Sequence, residues 1–213
     1  MLEPRKNPNS SLIVDPPSWL RWLISRRILG PLMDGDAIEK RRRKAEARRR
    51  RRGEPHVVDY YHQLDDPYSH LAAQILATFA KRYDVALKFN LIRATGGASQ
   101  PESEKLAIWA RRDAALIAPH LGLSFPSQAD TVPDPYHQLT AGRALAAKDD
   151  DAAIAGIADI SQALWSGDGQ ALVGPAESGA SVAELYATLD RGSDRLARRK
   201  HYSGAMFFYG GSW

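Results

Sequence analysis

Nine residues concentrate the reactive side chains of this chain: HQLDDPYSH, from His62 to His70. They hold two imidazoles, two adjacent carboxylates, a hydroxyl and a phenol, and several chemistries are open to them. Asp66 and His70 are four residues apart, so on a helix they share a face; such a pair suits acid–base work and equally suits a surface ion pair. Ser69 is a nucleophile only beside a base with its own orienting group, and no such arrangement is evident, so a polar filler is the simpler role. His62, Asp65, Asp66 and His70 have donor types that can surround a divalent metal, but no established ligand spacing is present and no metal site is assigned. Local structure alone accounts for Asp66-Pro67. A carboxylate accepts the first-turn N–H groups of a helix, and Pro follows where no donor is needed. At a helix N-terminus the Asp66 carboxyl is expected to have a depressed pKa, which makes it a poor base near neutrality. Cap and reactive group both stay open for Asp66.

The flanking pattern says what must position these residues. Val57 to Gln63 reads as a strand buried on both faces, Pro67 to Tyr83 as a helix with Leu71, Ile75, Leu76 and Phe79 at helical spacing, and Val85 to Ile92 as a second strand. Strand, helix, strand with short links is a βαβ unit, which favours a parallel pair. Helical pattern then runs over 102–121, 136–147, 150–166 and 181–200, with loops at 124–135 and 167–179. Strand signal returns at Ala205 to Tyr209, and Gly210-Gly211 reads as a hairpin turn into Ser212-Trp213. So short a second arm leaves an apolar sheet edge open. The expectation is an α/β fold incomplete at its C-terminal edge, in a chain that is the N-terminal part of something longer.

Upstream the composition changes. Residues 1–17 are polar and Pro-rich and read as loose. The segment 19–29 is amphipathic, with Trp19, Leu20, Trp22, Ile24 and Ile28 interrupted by Arg21, Arg26 and Arg27. Lys40 to Arg52 reads KRRRKAEARRRRR, a run of charge +9 in a chain of +4, which leaves the remainder at −5. A helix is expected over about 34–52. Gly53-Glu54-Pro55 marks the boundary between a basic helical extension, 1–53, and a domain, 54–213, whose helical insertion covers about 100–180. Residues 19–52 suit an anionic membrane surface or another subunit, and a solvated linker has the same composition. No nucleic-acid recognition motif is visible. The chain has no Cys, which excludes disulfides, thiolate nucleophiles and Cys-ligated metals. No apolar stretch reaches the ~18 residues of a membrane span, and the N-terminus lacks a signal-peptide pattern. A cytoplasmic, membrane-associated protein is compatible with all of this.

A βαβ unit, a helical block and a β-hairpin together resemble the DsbA-like thioredoxin family, which includes 2-hydroxychromene-2-carboxylate isomerases and kappa-class glutathione transferases. VVDYYHQLDDPYSHLAAQILATFAKRYDV is similar to that family's first strand, active-site turn and first helix, and YSGAMFFYGGSW to its second-half hairpin. The resemblance covers roughly residues 56 to 213 and implies a thioredoxin-like fold with an α-helical insertion. It places Asp66 at the family's first Cys, or at the Ser that steadies a glutathione thiol. It places Ser69 at the second Cys, and Ala205 where the family has a cis-proline. It also implies that Tyr68, Trp109 and Ala205 border the substrate, with Trp109, Arg111 and Arg112 on a helix that roofs the turn. The departures at Asp66, Ser69 and Ala205 remove dithiol chemistry. A trans bond and a reshaped loop are expected at Ala205, since a cis bond there costs about 3–4 kcal/mol. Glutathione is not expected to bind, because the family holds its glutamyl end with a segment after the hairpin, and no other cofactor is implied. Two classes remain: an isomerase- or transferase-like protein acting on a small organic molecule through Asp66, Ser69 and His70, or a non-catalytic module that binds a protein or a membrane surface.

Overall fold

The central strand is the apolar run that the sequence singles out. In the computed structural model, which describes residues 5–6, 35–96, 102–126 and 132–213, β2 (Val57–Gln63) has five consecutive buried residues, Val58 to His62. The expected amphipathic segment 19–29, the tail 1–17 apart from Arg5-Lys6, and residues 127–131 of one expected loop lie outside the described residues. A two-residue strand β1 (Arg5–Lys6) comes first, followed by a basic helix, α1 (Gly35–Arg52).

Strand β3 (Ala86–Ile92) pairs with β2 in parallel over all seven residues, from Val57 opposite Ala86 to Gln63 opposite Ile92. On its other side β2 pairs antiparallel with β5 (Met206–Phe208), so the sheet order is β3-β2-β5. A short strand, β4 (Thr95–Gly96), pairs with β1. The expected hairpin forms: Tyr209 and Ser212 exchange backbone hydrogen bonds of 2.9 and 3.0 Å around Gly210 and Gly211. Their φ values of 59° and 86° give the mirror-image turn that matches strand twist, which is why two glycines stand there.

The connection between β2 and β3 departs from expectation. Instead of one helix there are two, α2 (Pro67–Ala73) and α3 (Leu76–Tyr83). At Gln74 and Ile75 the amides turn to carbonyls three residues back, at 3.3 and 3.0 Å. Gln74 is tied at this point to a distant loop, its amide donating to the Ser124 carbonyl (2.8 Å) and its oxygen accepting the Ser124 N–H (3.0 Å). No sequence breaker is needed when a tertiary contact holds the turn open.

The helical block comprises α4 (Ser103–Ile117) with a 3-10 turn over Ala118–Leu121, α5 (Pro135–Ala146), α6 (Asp150–Ser166), α7 (Gly169–Glu177) and α8 (Val182–Arg198). Side chains start most of them. Asp134 caps α5 ahead of Pro135, Asp149 caps α6, and Ser181 with Glu184 forms a reciprocal capping box on α8. Helix α7 corrects the reading of 167–179 as a loop. Gly174 and Pro175 hid it, yet Asp168 accepts the Ala171 N–H at 3.1 Å and Leu172 is fully buried.

Val58, Tyr60, Leu87 and Leu91 present one face of the sheet to the main core, where Leu76, Leu145, Ile157, Leu164 and Leu185 close in. The other face, Tyr61 and Ile92, meets Leu196 of α8. Helix α8 approaches β3 at Gly192, where a Cβ would stand 2.1 Å from the Leu91 carbonyl oxygen. The outer strand is protected from sideways pairing by side chains: Asp150 accepts the Phe89 N–H (2.9 Å) and Ser193 accepts the Arg93 N–H (3.1 Å).

Candidate functional site

The C-terminal end of β2 delivers Gln63, and the turn Leu64-Asp65-Asp66 leads directly into α2. Asp66 is the N-cap, its carboxylate accepting the Ser69 N–H at 2.7 Å. Ser69 is fully buried and its hydroxyl is the hub of the turn. It accepts N–H bonds from Gln63 (3.2 Å) and from Ala205 (2.9 Å). One hydroxyl thus joins the end of the strand, the start of the helix and a loop 136 positions downstream. A serine oxygen with both lone pairs accepting backbone N–H groups is a poor nucleophile.

The loop is pressed onto the turn. A Cβ on Gly204 would lie 2.8 Å from both Ser69 Oγ and the Gln63 Cβ, and 3.0 Å from an Asp66 carboxylate oxygen. The Gly204–Ala205 bond is trans, as expected, and Ala205 takes φ 53°, the left-handed region that an alanine seldom occupies. Gly204→Ala is therefore expected to destabilise the domain by about 2 kcal/mol, within the range for overpacked sites, measured as a lowered urea midpoint. An unchanged midpoint would show that the loop does not sit on the turn.

Asp66 does not titrate as the sequence reading expects. Burial pushes its carboxyl up to about 6, against the lowering effect of the Ser69 hydrogen bonds, and the neighbouring Asp65 adds to the rise. Closure of the distant loop over the carboxylate removes the water that the helix-end argument assumes. Because the folded value lies above the unfolded one, the contribution of Asp66 to stability is present at low pH and lost as pH rises through 6. Asn caps helices as well as Asp but carries no charge to bury. Relative to wild type, Asp66→Asn is expected to gain about 2 kcal/mol between pH 4 and pH 8, from the size of the shift. Parallel melts of the two proteins across that range check this.

The remaining predicted residues are not drawn into the cluster. His70 is fully buried and turned into the helical block, its Nδ1 2.9 Å from Ser161 Oγ and its ring 5.6 Å from both Phe125 and Trp165. It faces away from Asp66, so the acid–base pair does not form; on a short helix against the core, i+4 leads inward. His62 is buried beside Tyr60, whose hydroxyl is 3.0 Å from its Nδ1. Burial lowers the His62 ring to about 3 and the His70 ring to about 4, so both are neutral. Asp65 accepts from the Gln63 side-chain amide at 3.0 Å. Among the described residues no His, Asp and Glu group could hold a metal ion.

Tyr68 lies at the surface and donates its hydroxyl to Asp113 of α4 at 2.7 Å, which fixes α4 beside the turn. Burial and the Asp113 carboxylate push its phenol up to about 12. Trp109 is 66% exposed, with the Arg112 guanidinium 5.8 Å over its ring, whereas Arg111 is buried. The sequence reading missed Gln63, Gly204 and Asp113 as members of this site. It also missed a second polar cluster, on the α8 side of the sheet. There Asp59 meets Arg199 at 2.7 Å and Arg195 at 3.6 Å, and Arg199 donates to the Tyr61 hydroxyl (2.9 Å). An aspartate inside an otherwise buried strand, with arginines four apart on a late helix, was the available signal.

A scan of protein-family models finds no match to this chain, and a search of curated proteins finds none either. Solved structures do match. A 2-hydroxychromene-2-carboxylate isomerase superposes with a TM-score of 0.51 at 19% identity, covering 74% of this chain and 87% of its own. A candidate protein disulfide isomerase from Nitrosomonas europaea gives 0.50 at 14% identity, covering 73% and 89%. At such identities the likeness establishes the fold alone: a thioredoxin-like fold of the DsbA type, here without a cysteine.

Proposed function

We propose that this chain is a non-catalytic thioredoxin-fold module that docks on an anionic lipid surface through the outer face of α1. The observation that carries this reading is a stripe of cations. Lys40, Lys44, Arg48 and Arg51 recur at i, i+4, i+8 and i+11 on one exposed face, with no carboxylate partner among the described residues. The other side of the helix is partly neutralised: Glu39 holds Arg43, and Glu46 holds Arg49 and Arg50, at 2.7 Å each. A flat row of positive charge on one side suits a flat anionic surface. No nucleic-acid recognition motif accompanies the stripe. The Trp19 and Trp22 segment, outside the described residues, precedes α1 and is of the type that sits at membrane interfaces. The Ser69 hydroxyl, which accepts two backbone N–H bonds, and the loop over Asp66 support a structural role for the turn. The full chain should float with phosphatidylserine-containing vesicles and not with neutral phosphatidylcholine vesicles. Tighter binding to duplex DNA at the same salt would overturn the reading. Among the described residues no helix is long and apolar enough to cross a membrane.

One observation favours the other reading, in which a small organic molecule is handled at the turn: a carboxyl that titrates near 6 is suited to proton transfer at neutral pH. One of the structures with this fold is a 2-hydroxychromene-2-carboxylate isomerase. On this reading Asp66→Asn abolishes a turnover that Lys40 and Arg48 substitutions leave intact.

A further inference from the structure

The face of α1 opposite the stripe does not close on the domain. Between it and the hairpin lies a cleft of about 770 Å³, within the size range of small-molecule sites. It is at the N-terminal end of β2, roughly 20 Å by strand length from the Asp66 turn. We propose that this cleft binds an organic anion carrying an apolar tail.

The two ends of such a ligand have separate partners. Arg42 reaches across the gap to Ser212 Oγ, at 3.3 Å, and has no carboxylate partner among the described residues. Beside it the Arg43 guanidinium is already held by Glu39 at 2.7 Å. Arg42 is therefore the lining cation without a carboxylate partner among the described residues, and a guanidinium fork matches the oxygens of a carboxylate or phosphate. The other charges of the lining are paired, Glu39 with Arg43, Glu46 with Arg49 and Arg50, and Glu54 with Arg52, and the remaining wall is apolar. Val57 and Tyr209 are 42% and 39% exposed on its sheet side, and Ala45 faces them from α1. His56 bonds the Tyr209 hydroxyl through Nδ1, which holds the phenol ring as a wall. Bare phosphate would use Arg42 and leave this wall wet; a neutral amphiphile would cover the wall and leave Arg42 unused. A molecule with both parts uses both.

Octyl phosphate below its micelle concentration is the probe, titrated calorimetrically into the full chain. It should bind at least tenfold more tightly than inorganic phosphate or octyl glucoside. Arg42→Ala, and independently Ala45→Glu, which places a carboxylate in the cleft, should each weaken it tenfold or more. Both changes lie on α1 outside the core, so the melting curve should not move. The Lys40, Lys44, Arg48 and Arg51 variant should bind octyl phosphate as wild type does, which separates this site from the stripe. If Arg42→Ala also loses anionic vesicles, the natural ligand is a lipid headgroup; if it keeps them, a free amphiphile. Equal binding of inorganic phosphate, or an Arg42→Ala protein that binds octyl phosphate unchanged, overturns the proposal.

Discussion

Replacing Lys40, Lys44, Arg48 and Arg51 together by Gln is expected to weaken binding to anionic vesicles about a thousandfold. The four side chains stand exposed on one face of α1. Each Lys or Arg near an anionic surface contributes about 1 kcal/mol, so four contribute about 4 kcal/mol, or three decades in affinity. The loss should be largest at low salt, because the attraction is screened within a Debye length. Gln keeps helix propensity, so α1 itself should persist. Neutralising Arg43, Arg49 and Arg50, which are paired with Glu39 and Glu46 on the side away from the stripe, should cost less. Vesicle flotation across a salt series reads both variants. The same loss per charge from the triplet as from the quadruplet would mean that total charge matters and the stripe does not.

The second large effect is on stability in acid. His62 and His70 are neutral and buried, with pKa values lowered by burial to about 3 and about 4 from an ordinary 6.5. A base whose folded value is depressed stabilises the fold above its unfolded pKa, and that stability is lost as pH falls from 6.5 toward the folded value. By pH 5 each ring accounts for about 2 kcal/mol, or about 4 kcal/mol together. Asp66 works in the opposite sense, gaining about 1 kcal/mol as its carboxyl takes up a proton near pH 6. The net loss of about 3 kcal/mol between pH 7 and pH 5 is a large part of the 5–15 kcal/mol that holds a typical domain together. His70→Gln should cut the difference by about 2 kcal/mol, since Gln has nothing to protonate. Urea unfolding at the two pH values measures it, and a difference unchanged by the substitution would place the acid sensitivity elsewhere.

The central strand, the parallel βαβ pair and the glycine hairpin were legible because each has a local cause: an unbroken apolar run, alternation, two adjacent glycines. The helix N-terminus at Asp66 was legible for the same reason. What failed was whatever depends on a partner far along the chain. The break between α2 and α3 rests on Ser124, fifty positions from Gln74. Helix α7 follows a glycine-rich start, and burial of Leu172 outweighs its weak propensity. The Asp66 pKa has the opposite sign to the local expectation because Gly204 and Ala205 return to cover it. His70 was read as sharing a face with Asp66, which is correct for helical spacing, but Ser161, Phe125 and Trp165 decide where that face points. Site chemistry in this fold is assembled from both halves of the domain, and a nine-residue window contains only one of them.

Whether the working surface is α1 or the turn can be read directly by amide hydrogen exchange on the full chain, with and without phosphatidylserine-containing vesicles. Vesicles should slow exchange across residues 35–52 and leave 64–70 and 203–206 unchanged. Protection of 64–70 and 203–206, with no change in 35–52, would contradict the account.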